Sequence, residues 1–99
     1  MDSKLPWFVD KMGDYDHEYY VLLKEVLQKA ISTTALDKKT CYLILLALDT
    51  LKGAETGVKV LAGQAREAGA TEEEIKEVIR LAYFVNSMDV IKTSLNAWS

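Results

Sequence analysis

Apolar residues recur every third or fourth position through most of this chain, which is the period of an amphipathic helix. No segment alternates with period two, and no Asn-Gly or Asp-Gly hairpin turn occurs. The pattern therefore predicts an all-α protein. Its first long helix is predicted from about residue 15 to 31, with apolar side chains at Tyr19, Leu22, Leu23, Val26, Leu27 and Ala30.

A second helix is predicted over about 38–52, with Asp37 as its N-cap. The run CYLILLAL at 41–48 makes this helix apolar on nearly every side, so neighbours have to cover it all round. A chain of 99 residues has few helices to do so, which indicates a subunit interface. Trp7 and Phe8, beside Pro6, are expected to dock on the helical body or on a neighbouring subunit.

A third helix, about 54–68, carries a narrow apolar stripe made mostly of small residues, which lets helix axes approach closely. Gly69 suits the C′ position that ends such a helix. Thr71 and Glu74 then have the spacing of a capping box. The stripe of the third helix consists of Ala54, Val58, Leu61, Ala65 and Ala68.

The helix that begins at this capping box is predicted to run to about Met88. Its apolar face holds Ile75, Val78, Ile79 and Ala82. A separate final helix is predicted from about Asp89. Its apolar residues are Val90, Ile91, Leu95 and Trp98.

Composition and charge exclude several classes of partner. The net charge is −3, and twelve basic residues are scattered among fifteen acidic ones, so no surface for nucleic acid is expected. The longest apolar run has eight residues, against roughly twenty for a membrane span. One cysteine and one histidine give neither an internal disulfide nor a Cys/His zinc site. We therefore expect a cytoplasmic protein with no membrane segment, metal or cofactor.

The segment from Leu36 to Ile75 resembles the carboxymuconolactone decarboxylase/AhpD-like family. The resemblance lies in LDKKT at 36–40, the apolar helix that follows, Gly53 before the next helix, and the connection AGATEEEI at 68–75. It implies an AhpD-like helical domain of about five to six helices over residues 1–99. It also implies that several copies assemble, with trimers or hexamers expected.

The same resemblance assigns the family's active-site positions, and all of them are replaced. The AhpD-like branch has a Cys-x-x-Cys that would fall on Ala54 and Gly57, a His on Leu61 and a Glu of the proton relay on Tyr42. The decarboxylase branch has Arg, Glu and His at positions 54, 57 and 61. The family includes decarboxylases and alkylhydroperoxide reductases of peroxiredoxin-type activity. We therefore do not expect thiol peroxidase activity by the family's route.

Few ionisable groups remain near these positions. Glu55 and Lys59 are spaced i, i+4, which suits a helix-stabilising ion pair, and they are also the candidates to bind something polar. Tyr42 could orient a ligand through its phenol, although core packing with its hydroxyl bonded to a partner is the favoured interpretation. Cys41 is expected to be a buried, unreactive thiol, and His17 an exposed side chain.

Three interpretations of function remain open at this point. The first is an enzyme of the family with an altered site that acts on a small organic substrate such as a lactone, acid or thioester. The second is a module that binds a small molecule without catalysis. The third is a structural or partner-binding oligomer, for which a partner protein could supply missing groups.

Overall fold

The computed structural model describes residues 5–99 and is helical, with no strand in that range. The helices are α1 (Trp7–Met12), α2 (His17–Ile31), α3 (Lys38–Lys52), α4 (Glu55–Glu67), α5 (Glu72–Ser94) and the short 3-10 helix η1 (Leu95–Trp98). This confirms the all-α prediction. None of the helices in the described range has the length and apolar character that a membrane span requires.

The chain divides into two compact units, residues 1–37 and 38–99. In the first unit, the Asp16 side chain caps α2 by accepting from the N–H of Tyr19 at 3.1 Å. The Tyr20 hydroxyl donates to Oδ1 of Asp10 at 2.9 Å and so ties α2 to α1. Val9 of α1 is the buried residue of this unit.

The second unit consists of α3, α4, α5 and η1, and its core is small. Leu46 of α3 and Ala65 of α4 are fully buried, and the small side chain at 65 allows the two helices to pack closely. The predicted stripe of α4 thus faces the core, as expected. Around the buried cluster of Leu46, Ala65, Ala70 and Ile75 lie the partly buried residues Tyr42, Leu43, Val58, Leu61, Ala62 and Val78.

Two helices of this unit end in the same kind of glycine turn. Gly69 has a φ of +100°, and the N–H of Ala70 donates to the carbonyl of Ala65 at 2.9 Å. Gly53 has a φ of +71°, and the N–H of Ala54 donates to the carbonyl of Asp49 at 3.0 Å. Both are Schellman-type turns, in which a left-handed residue satisfies the last carbonyls of the helix. Other residues would be strained at both glycines.

The helix that follows Gly69 begins as predicted but ends later. Thr71 and Glu74 form the capping box, with both bonds present. The prediction of a break near Asp89 was wrong, because α5 continues to Ser94. No Gly or Pro interrupts this stretch. The apolar positions shift to another face of the helix after Ala82, and that shift resembles a helix boundary in the sequence.

Candidate functional site

The family's active-site positions lie in the second unit, where α3 turns into α4. Tyr42 is in α3, Ala54 is the N-cap of α4, and Gly57 and Leu61 lie in its first and second turns. The glycine turn at Gly53 sets this geometry, because it brings the start of α4 back against the end of α3. The structure therefore places Ala54 and Gly57 beside the end of α3, whereas Tyr42 and Leu61 lie against the core cluster of the unit.

Two of the four positions belong to the core. Tyr42 and Leu61 are partly buried and pack against the cluster that contains Leu46 and Ala65. In the AhpD-like branch these positions hold a glutamate and a histidine that move protons. Here an aromatic and an aliphatic side chain fill them and help to hold α4 on α3.

The other two positions carry small residues beneath a carboxylate. Ala54 makes no side-chain capping hydrogen bond. The Asp49 carboxylate lies directly over Gly57, so that a Cβ atom built on Gly57 would overlap Oδ2 and lie only 3.0 Å from Cγ of Asp49. That Cβ would be 3.6 Å from the Cβ of Ala54. Any larger residue at position 57 therefore requires the Asp49 side chain to move.

Asp49 is the residue that the sequence analysis missed. Its carboxylate lies against the first turn of α4, where negative charge is favourable by about 0.3–1 kcal/mol because the first N–H groups of a helix carry partial positive charge. A signal was present in the sequence. Asp49 is the one acidic residue of α3, KKTCYLILLALDTLK, and it stands in the last turn, where a negative charge opposes the dipole of its own helix.

The predicted candidates Glu55 and Lys59 are not joined by an ion pair within residues 5–99. Both are exposed on α4. The ion pairs recorded within residues 5–99 join other residues: Lys11 with Asp14, Lys39 with Glu74, Arg66 with Glu72, and Lys76 with Glu73. Neither Glu55 nor Lys59 lies among the atoms nearest to Gly57.

Cys41 lies one residue before Tyr42 and is only 5% exposed. The expectation of a buried thiol is confirmed. A reagent in solution reaches such a thiol poorly. His17 is exposed at the start of α2, as predicted.

Charged groups at the start of α5 serve the helix rather than the family positions. Glu74 accepts from the N–H of Thr71 at 2.8 Å and from Nζ of Lys39 at 2.9 Å. The backbone hydrogen bond from Thr71 is the main cause, and Lys39 the second, of a lowered pKa for the Glu74 carboxyl. Arg66 holds Glu72 with bonds of 2.8 and 3.0 Å, which lowers the pKa of Glu72. These contacts hold the start of α5 against the end of α4 and the start of α3.

A surface groove of about 340 Å³ lies in the first unit. It contains none of the family positions. Its lining residues are Leu5, Trp7, Asp10, Lys24 and Gln28.

The helical architecture and the α3–α4 contact can be compared with known proteins. The model of the carboxymuconolactone decarboxylase family matches residues 17–99. The chain therefore belongs to the carboxymuconolactone decarboxylase family, which confirms the resemblance. The uncharacterised protein MJ1511 of Methanocaldococcus jannaschii is 35% identical over 66 residues, which make up 67% of this chain and 62% of that protein. The chain thus spans less than two thirds of the length of that relative. No solved structure matches this chain.

Proposed function

We propose that this chain is a non-catalytic, homo-oligomeric member of the family, in which the active-site segment of related proteins has become a packing contact. The observation that carries the proposal is the carboxylate of Asp49 over Gly57. A thiolate at the start of a helix uses the same positive end of the dipole that this carboxylate uses. The negative charge of an aspartate beside the first turn suits the helix dipole as a thiolate does, without the chemistry of the thiolate.

The residues that occupy the four family positions support the same proposal, because none of them can perform the family's chemistry. Thiol peroxidase chemistry needs an accessible thiolate and a second thiol to resolve the oxidised form. The only cysteine of the chain is Cys41, and it is buried. Decarboxylase chemistry of the family's kind would need charged side chains at positions 54, 57 and 61, which hold Ala54, Gly57 and Leu61.

Exposed apolar residues support the homo-oligomer. The α3 helix was expected to be covered all round, yet Ile44 is 44% and Leu48 51% exposed. Trp7 is 76% exposed. A second copy that covers such residues would gain about 25 cal/mol for each Å² of apolar surface removed from water. The proposal includes a single domain over residues 1–99, assembly into trimers or hexamers, and a cytoplasmic location.

A second candidate function is an enzyme with an altered site on a small organic substrate. Asp49 is the observation that favours it, because its carboxylate is a partly buried ionisable group at Gly57. A carboxylate held next to a substrate can act as a general base. The two candidates therefore differ in what Asp49 does, and removal of its charge separates them.

The test is a turnover assay with the purified full chain. The substrates are a lactone, a thioester, and an alkyl hydroperoxide with a dithiol reductant. Asp49→Asn removes the charge at the contact, and Glu67→Gln, at an exposed position at the far end of α4, is the control. We expect no turnover above the buffer blank in any of the three proteins. Turnover by the wild type and by Glu67→Gln that Asp49→Asn abolishes would establish the enzyme instead.

A further inference from the structure

A line of exposed apolar side chains runs along the second half of α5 and into η1. Its spacing alternates three and four residues, which is the spacing of the a and d positions of a heptad repeat. Each member is between 40% and 82% exposed. We call this line the α5 seam, and it consists of Leu81, Phe84, Met88, Ile91, Leu95 and Trp98.

The α5 seam is distinct from the face of α5 that packs within its own unit. That face holds Ile75 and Ala82, which are buried, and Val78, which contacts the core cluster. Leu81 precedes Ala82 by one residue, which is a rotation of about 100° around the helix. The core of the unit therefore leaves the α5 seam uncovered.

The area of the α5 seam is sufficient for contact with a second helix. Side chains of these types, exposed to this extent, present on the order of 600 Å². This is the upper end of the range of about 300–600 Å² for the largest apolar patch on a typical monomer, and such patches are often functional. Two copies joined through this line would bury at most about 1,200 Å², the lower bound for a specific protein–protein interface.

Charge on both sides of the α5 seam permits this pairing. The residues that flank it at the e and g positions include no carboxylate and only two cations, Arg80 and Lys92. Like charges facing each other would oppose association. In two parallel copies the g position of one helix faces the e position of the other, so that Arg80 faces Val85 and Lys92 faces Ser87, and no like charges meet. The other flanking residues are Val85, Ser87, Ser94 and Ser99.

The α2 helix offers a shorter surface with the same spacing. Its exposed residues Tyr19, Leu22 and Val26 are three and four apart. They cover half as many heptad positions as the α5 seam. A helix of equal length and period matches the α5 seam best, and a second copy of α5 is such a helix.

We infer that the α5 seam is the surface through which two copies of this chain associate, helix against helix. The inference rests on the proposed homo-oligomer and names one of its contacts, the one that joins its copies in pairs. The apolar residues at the a and d positions of each copy insert between those of the other and remove them from water.

Sedimentation equilibrium at micromolar concentration tests this, with three charge-introducing variants of exposed apolar residues. Ile91→Arg lies in the α5 seam. Val90→Arg is the matched control, since Val90 is 64% exposed and Ile91 55%, next to each other in the same turn but on different faces. Leu22→Arg tests α2. We expect the wild type and Val90→Arg to share one mass above 11.1 kDa, and Ile91→Arg to have a smaller one.

Circular dichroism shows whether each variant keeps its helices. Ile91→Ala, which adds no charge, should still raise the dissociation constant at least tenfold. If Ile91→Arg keeps the wild-type mass, or if Leu22→Arg alone lowers it, the α5 seam is the wrong surface although the homo-oligomer stands. A wild type of 11.1 kDa would overturn both the surface and the proposed oligomer.

Discussion

The substitution Gly57→Ala is the most direct test of the proposed packing contact between Asp49 and Gly57, because even one added methyl group should disturb it. In Gly57→Ala the new Cβ would overlap Oδ2 of Asp49 and lie 3.0 Å from its Cγ. Since Cγ would also be close, the Asp49 side chain has to shift as well as turn its carboxylate group. The carboxylate is then displaced from its position over Gly57.

The expected free energy of unfolding follows from three contributions. Alanine is favoured over glycine within a helix by up to about 1 kcal/mol. Loss of an anion from the helix N-terminus costs about 0.3–1 kcal/mol, and a strained rotamer of Asp49 costs about 0.5–1.5 kcal/mol. Gly57→Ala should therefore destabilise the protein by between about zero and 2 kcal/mol.

Gly63 provides the matched control, because it lies in the same helix and a Cβ added there meets no atom within 4 Å. Gly63→Ala should stabilise the protein by about 0.5–1 kcal/mol. In a chain of this size 1 kcal/mol corresponds to about 4–8 °C in Tm. The assay is thermal unfolding followed by circular dichroism at one fixed protein concentration, because association makes Tm depend on concentration.

The Asp49→Ala background shows whether the carboxylate is the cause. Without it Gly57→Ala should stabilise the protein as Gly63→Ala does, which gives a coupling free energy of about 1–2 kcal/mol between positions 49 and 57. An equal rise in Tm for Gly57→Ala and Gly63→Ala in the wild-type background would refute the contact. So would a coupling free energy of zero.

Three further predictions concern the rest of the second unit. Leu46→Ala, at a fully buried position, should lower the free energy of unfolding in urea by about 3–5 kcal/mol because it leaves a cavity. Thr71→Ala, at an exposed position, should lower it by about 1 kcal/mol because α5 loses its N-cap. The lowered pKa of Glu74 means that its contribution to stability is present above the unfolded pKa of about 4.3 and is lost as pH falls through the folded pKa. The difference in Tm between the wild type and Glu74→Gln should therefore be largest near pH 7 and vanish in acid; a difference that persists at pH 2 would contradict this reasoning.

Local signals made most of the second unit predictable from sequence. The glycine at 69 and the Thr71–Glu74 pair satisfy backbone groups within a few residues of themselves, so their roles are readable without a fold. The end of α5 could not be predicted from the sequence. Its apolar residues move to another face of the helix after Ala82, and such a change resembles the end of a helix when no partner helix is known. Most of the α5 seam lies beyond that change.

From the sequence, the site could be predicted only as the four positions at which the family's catalytic residues are replaced. Tyr42 and Leu61 are apolar enough to be core residues, and the structure places them there. The role of Asp49 depends on how sharply the chain turns at Gly53, which brings residues eight apart into contact across two helices. Periodicity describes one helix at a time, so it contains no information on that contact.

Thermal unfolding with a panel of small molecules tests the central claim that this segment is a packing contact and no longer a site. The panel contains lactones, aromatic acids, thioesters and hydroperoxides. A compound present at a hundred times its Kd would add about 2.7 kcal/mol of stability, which raises Tm by several degrees. We expect no such rise. A concentration-dependent rise in the wild type and in Gly63→Ala that disappears in Asp49→Ala would contradict the account, because Asp49 would then hold a ligand.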